Sequence, residues 1–268
     1  MTGFFQRVEE RIKETGAFLC VGLDPRPEEF QPDEKALLNV FPDIALYRHG
    51  KRIIESTAQF VCAWKPNLAF YERWGSKGWS ALEKLIPLMS QYAPVILDGK
   101  RGDIGSTAEA YAASAKDLGV DCVTLSPYLG RDAIDPFIEA GLDVFLLLRT
   151  SNPSATEIQD QPESFPLWKR LLQVSQDWAS PDRMGYVIGA TVPEVAKEVR
   201  QLAPDRWMLL PGIGSQGASI TQNIREYLKQ DNSGLIVPIS RAITGDLDPR
   251  SVAEGYTQEM KKVCQNSK

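Results

Sequence analysis

Eight short apolar runs, each followed by a helix-like stretch, constrain this chain more than any other feature. They are Ala17–Leu23, Gln59–Lys65, Pro94–Asp98, Asp121–Leu125, Asp143–Arg149, Gly185–Ala190, Arg206–Leu210 and Leu235–Ser240. Each is nearly continuous in apolar residues and does not alternate with polar ones, which is how strands covered on both faces read. Helical patterns such as STAEAYAASAKDLG and VPEVAKEVRQLAP lie between them, with Gly119 and Gly141 as helix stops. Strand–helix alternation predicts parallel βαβ units. Eight units in 268 residues predict one (β/α)₈ TIM barrel, a single domain over residues 1–268. An open doubly wound sheet is the alternative. The amphipathic start, MTGFFQRVEERIKETG, predicts an extra N-terminal helix.

Charge and composition narrow the chemistry. The formal net charge is −5 and no basic block is present, so a nucleic-acid polymer is not an expected partner. No stretch approaches the roughly 20 apolar residues of a membrane span, and none resembles a signal peptide, so no membrane and a cytoplasmic location are expected. Cys20, Cys62, Cys122 and Cys264 form no CxxC pair and read as buried structural thiols. His49 is the one histidine. A multi-His metal site is excluded, no metal ligand set is expected, and His49 itself, in LYRHGKR, reads as a solvated helix residue. Acid–base work then falls on Lys, Asp, Glu, Tyr or Cys.

Polar residues gather at the ends of the runs, where a (β/α)₈ barrel builds its site. Asp24 follows the first, Lys65 ends the second, and Asp98 ends the third with Lys100 and Asp103 just beyond. Ser126, Ser151, Gly212, Gly214 and Arg241 follow later runs. In VILDGKRGDIGST, Asp98 and Lys100 are two apart, so an extended chain points both to one side. With Lys65 from the neighbouring strand, two ammonium and two carboxylate groups would alternate, each holding the next ionised. The plain alternative is a surface salt-bridge cluster. The stretch from Asn152 to Phe165 reads as a lid, or as a surface excursion. In PGIGSQGAS, Gly212, Gly214 and Gly217 let backbone N–H groups approach a phosphate, with Arg241 adding a charged contact. The same G-x-G-x-x-G pattern suits an NADP-dependent oxidoreductase, but that fingerprint opens the first βαβ unit and this one is the seventh.

The segments CVGLDPRP, WKPNLAFYE, LDGKRGDIGSTAEAYA, TLSPYLGRDA, LLRTSNPSA, LLPGIGSQGA and ISRAI resemble the orotidine 5′-phosphate decarboxylase family in its longer bacterial form. The resemblance implies that Lys65, Asp98, Lys100 and Asp103 are a catalytic tetrad, with Lys100 the proton donor to C6 of the pyrimidine and Asp98 beside the substrate carboxylate. It implies that Asp24 and Lys65 hold ribose hydroxyls and that Ser151 contacts the pyrimidine. Gln216 and Arg241 would grip the phosphate, helped by the backbone at Gly212 and Gly214. Asp103 and Thr107 would reach into a partner's site, making a homodimer with shared active sites. Ser126 stands where many long-form members have Asn, and no role is assigned to it.

The implied reaction is cofactor-free decarboxylation of a nucleotide, with the C6 carbanion stabilised by the Lys/Asp charges. The rival within reach of the same motifs is a Mg²⁺-dependent sugar-phosphate lyase on a related barrel, which shares D-x-K-x-x-D but not Lys65-Pro66-Asn67. A non-catalytic phosphate-binding barrel would have no use for paired carboxylates near an anionic ligand.

Overall fold

The structure is a computed structural model that describes residues 2–212 and 224–265. Every apolar run becomes a strand: β1 Leu19–Leu23, β2 Ala63–Pro66, β3 Ile96–Arg101, β4 Cys122–Leu125, β5 Asp143–Arg149, β6 Met184–Ile188, β7 Met208–Leu209 and β8 Leu235–Ile239. The main helices are α1 Phe4–Thr15, α2 Pro32–Leu38, α3 Pro42–Thr57, α4 Leu68–Glu72, α5 Gly75–Ser90 and α6 Gly105–Asp117. They continue with α7 Asp135–Glu139, α8 Ala155–Ile158, α9 Leu167–Ser175, α10 Pro193–Leu202, α11 Arg241–Thr244 and α12 Pro249–Gln265.

Strand pairing is parallel throughout, in the order β2-β1-β8-β7-β6-β5-β4-β3. Parallel bridges Trp64↔Val95 and Asn67↔Asp98 join β2 to β3 and close the ring. This is the (β/α)₈ barrel, and the open sheet is set aside. Gly119 and Gly141 end their helices at φ +80° and +84°, a conformation that costs glycine little.

Two apolar layers hold the fold. The larger lies between the sheet and its outer helices and contains Leu19, Val21, Trp64, Leu97, Val123, Leu146 and Tyr186. The smaller fills the barrel and takes residues from every strand: Cys20, Ala63, Ile96, Cys122, Phe145, Val187, Leu209 and Ile236. Side chains on a strand alternate with period two. Two residues beyond this apolar layer, the same interior face therefore presents Gly22, Lys65, Asp98 and Thr124. The sequence thus turns the barrel interior from apolar to charged in one step.

The predicted N-terminal helix closes the other end. Phe4, Phe5 and Val8 of α1 join the interior cluster, with Phe5 stacked on Trp207 at 5.5 Å and edge-on to Phe145 at 5.3 Å. Asp143 Oδ2 accepts the Phe4 N–H at 2.8 Å, an anion at a helix N-terminus. Cys20, Cys62 and Cys122 are buried and unbridged, and Cys264 is half-buried. Burial pushes the Cys20 thiol up to about 12, which makes it a poor nucleophile.

One expectation is corrected. His49 is not solvated: it is 1% exposed on α3, stacked on Phe30 at 4.3 Å. Its Nδ1 lies 3.3 Å from Glu34 and 3.1 Å from Arg52. The helical period puts His49 on the same face as the buried Leu46 and Ile53, and its polar sequence neighbours face elsewhere.

Candidate active site

Asp98 is the hub of the charged layer. Lys65 Nζ donates to its Oδ2 at 2.7 Å, Lys100 Nζ to its Oδ1 at 2.5 Å, and Thr124 Oγ to Oδ1 at 2.9 Å. Lys65 and Asp98 are both buried. Burial alone would raise the Asp98 carboxyl, but the two ammonium groups outweigh it and hold Asp98 well below the usual carboxylate range. Burial likewise opposes the charge on Lys65, and the carboxylates of Asp98 and Asp24 overcome it, so Lys65 stays protonated far above neutrality. The cluster is a fixed set of charges at pH 7.

Lys100 reaches this position by an unusual backbone. Its φ is +47°, in the left-handed region that a non-glycine residue occupies at a cost of order 1–3 kcal/mol. The β3–β4 register slips between Leu97 and Arg101, so Lys100 sits in a bulge. Its N–H donates to Thr124 Oγ at 3.0 Å. One buried threonine thus braces both Asp98 and Lys100. Sequence reasoning missed Thr124. The available signal was a hydroxyl residue inside the apolar run DCVTL.

Within one chain the alternating arrangement has three members. Asp103 does not join it: its Oδ1 accepts the N–H of its own neighbour Ile104 at 2.8 Å. Thr107, in the first turn of α6, is exposed. Asp103 lies in the loop after β3, and Thr107 in the helix that follows it.

Adjoining this cluster through Lys65, a cavity of about 150 Å³ is lined by Asp24, Arg26, Lys65, Gly212, Ser240 and Arg241. Arg241 is the first residue of α11, and Gly212 has φ +110°. Gly214 and Gln216 lie outside the described residues. Ser151 follows β5 and packs against Gly189, where a Cβ would come within 2.8 Å of its backbone and side chain. The adjoining predicted lid carries α8, and its stem is anchored. Arg149 holds Asp160 through two 2.8 Å bonds, and Gln159 accepts the Thr150 N–H at 2.7 Å. Asn67 of the KPN motif caps α4 by accepting the Ala69 N–H.

The model of the family described as orotidine 5′-phosphate decarboxylase / HUMPS matches residues 17–256. The chain belongs to this family. A curated orotidine 5′-phosphate decarboxylase of Roseiflexus castenholzii is 41% identical over 247 residues, 90% of this chain and 88% of that one. The orotidine 5′-phosphate decarboxylase of Phocaeicola vulgatus is 37% identical over 269 residues, 96% and 95% of the two chains. Among solved structures, Leishmania donovani OMP decarboxylase superposes with a TM-score of 0.85 at 35% identity, covering 97% of this chain and 98% of that one. Within the decarboxylase/HUMPS family, these relatives side with the decarboxylase branch and not with a sugar-phosphate lyase or a nicotinamide enzyme.

Proposed function

We propose that this chain converts orotidine 5′-phosphate to uridine 5′-phosphate and CO₂, a step of pyrimidine nucleotide biosynthesis, and that the Lys65–Asp98–Lys100 cluster carries the chemistry. The observation that supports this most is Asp98 clasped by two ammonium groups at the rim of β3. In the reaction the bond from C6 to the carboxylate carbon breaks, CO₂ leaves, and the electron pair stays on C6. That pair has little resonance relief, so it needs a positive charge already in place. The Lys100 ammonium supplies that charge and then the proton, and water later restores the proton to Lys100. A preorganised ammonium costs no reorganisation at the moment of reaction.

In this reading Asp98 lies beside the departing carboxylate, and Asp24 and Lys65 receive ribose hydroxyls. Ser151 meets the pyrimidine. Gly212, Gly214, Gln216 and Arg241 hold the phosphate, whose binding energy closes the 152–165 loop over the site. Asp103 and Thr107 complete the site of a partner subunit. Ile104, Tyr128 and Leu129, exposed on the loops after β3 and β4, provide apolar surface for a second copy. We place the protein in the cytoplasm as a homodimer working on a free nucleotide. Among the described residues no helix is long and apolar enough to cross a membrane.

No metal or cofactor enters this reading, because Asp98 is already neutralised by lysines in the role a divalent cation would take. The test is direct. Purified protein mixed with orotidine 5′-phosphate is expected to lose pyrimidine absorbance at the same rate with and without EDTA. Loss of activity on chelation, recovered with Mg²⁺, points to the lyase reading, and no turnover at all rejects decarboxylation.

A further inference from the structure

Ser240 lies between β8 and α11, next to Arg241. Its Oγ is 2.7 Å from Asp24 Oδ2 and 3.3 Å from the Gly22 carbonyl. A hydroxyl has one proton to give, and the carboxylate oxygen at the shorter distance is the better acceptor. The approach is close because β1 has a glycine there. A Cβ on Gly22 would come within 2.9 Å of the Ser240 Cβ and 3.1 Å of its Oγ. The Ser240 carbonyl is itself fixed, accepting the N–H groups of Ile243 at 2.8 Å and Thr244 at 3.0 Å.

Asp24 has a second oxygen. Oδ1 is buried and has no hydrogen-bond partner among the described residues. A buried acceptor without a donor is costly to keep. Asp24 and Ser240 both line the cavity that Lys65 and Arg241 share. From these contacts we infer that Ser240 is a positioning residue: it anchors Oδ2 of Asp24 and so reserves Oδ1 for a neutral hydroxyl donor on the ligand. Because Ser240 and Arg241 are consecutive, one dipeptide sets the spacing between the hydroxyl acceptor and the cation for an anionic group. A ligand carrying both a sugar hydroxyl and a phosphate is measured against that spacing. This inference rests on the decarboxylase reading of the same cavity.

The test compares Ser240→Ala and Ser240→Thr with wild type on orotidine 5′-phosphate and on its 2′-deoxy and 3′-deoxy counterparts. Ser240→Ala is expected to lose about tenfold in kcat/KM on the full substrate, the scale of a charged hydrogen bond, and less than about twofold on the analogue lacking the hydroxyl that Asp24 receives. Ser240→Thr keeps the donor and is expected to recover most of the loss. Equal losses on all three substrates, or none on the full one, overturn the inference. Should Ser240→Ala fail to fold, Ser240→Cys, with a weak donor of similar size, must show the same selective loss for the inference to stand. Wild type inert toward orotidine 5′-phosphate rejects both readings, whereas an active wild type with an unselective Ser240→Ala rejects only this one.

Discussion

The two ends of this barrel both bury carboxylates at strand termini, but they partner them differently. At the N-terminal end, Asp143 accepts the Phe4 N–H and pairs with Arg183, whose guanidinium also donates to the carbonyls of Ile138 and Leu142. Asp121 pairs with Arg7 and accepts the Val95 N–H at 2.8 Å. Guanidinium forks and backbone amides occupy these acceptors, and the result ties α1 and the loops to the barrel floor. At the C-terminal end, Asp98 is held by lysines and a threonine, and one oxygen of Asp24 has no partner among the described residues. Lysine is a compact charge on a flexible stem that can turn toward a ligand, whereas a saturated arginine fork cannot do so without breaking several bonds. Carboxylates filled by arginine and backbone amides stabilise, whereas lysine-held Asp98 and Asp24 leave an ammonium group and a carboxylate oxygen facing the ligand.

The strongest way to break this contrast is Lys100→Ala. It is expected to lower kcat roughly 10³-fold or more, because both the carbanion-stabilising charge and the proton donor are lost. The thermal midpoint should stay near wild type, since the Lys100 side chain is half exposed and alanine meets the same left-handed backbone demand as lysine. Pyrimidine absorbance and a melting curve on the same sample check both. Near-normal kcat would show that the mouth's charges are as structural as those of the floor.

The converse experiment is Asp143→Ala. Removing it strands the Phe4 N–H and half-buried Arg183, at an expected cost of about 2–3 kcal/mol in unfolding free energy. Denaturant titration reads that cost, and kcat at 25 °C should be unchanged within about twofold if the floor is purely structural. A selective fall in kcat would mean the ends are coupled through the barrel.

How far these roles were legible in the sequence depends on how local they are. The strands were, because a sheet covered on both faces leaves continuous apolar runs. Asp24, Lys65, Asp98 and Arg241 were legible as residues at strand ends, since the barrel gathers all such ends at one mouth. His49 was misread because its immediate neighbours Arg48, Lys51 and Arg52 are charged, while the residues that decide its burial are a helical turn away. The bracing by Thr124 depends on the slipped β3–β4 register, which no local pattern encodes. The Asp24–Ser240 contact joins residues 216 apart and exists only once the ring closes between β8 and β1.

The smallest effect tests whether location or partner type decides the role. Glu34 lies in the segment that follows the C-terminal end of β1, on the side of the catalytic mouth, yet it is arranged like the floor. It accepts two bonds from Arg52, at 2.8 and 3.2 Å, and the Gln31 N–H at 2.8 Å, with His49 alongside. Burial pushes its carboxyl up, but the hydrogen bonds from His49, Arg52 and Gln31 prevail and bring it down to about 2 from the ordinary 4.5. A folded-state value below the unfolded one means that ionised Glu34 stabilises fully above about pH 4.5 and that this contribution is lost as pH falls toward 2. Glu34→Gln is therefore expected to cost on the order of 2 kcal/mol at pH 7 and progressively less below pH 4.5, converging with wild type near pH 2. Turnover should not move. If the cost is instead flat with pH, the ion pairs contribute nothing beyond packing; if kcat falls with it, position at the mouth outweighs partner chemistry, and the contrast between saturated and open carboxylates fails.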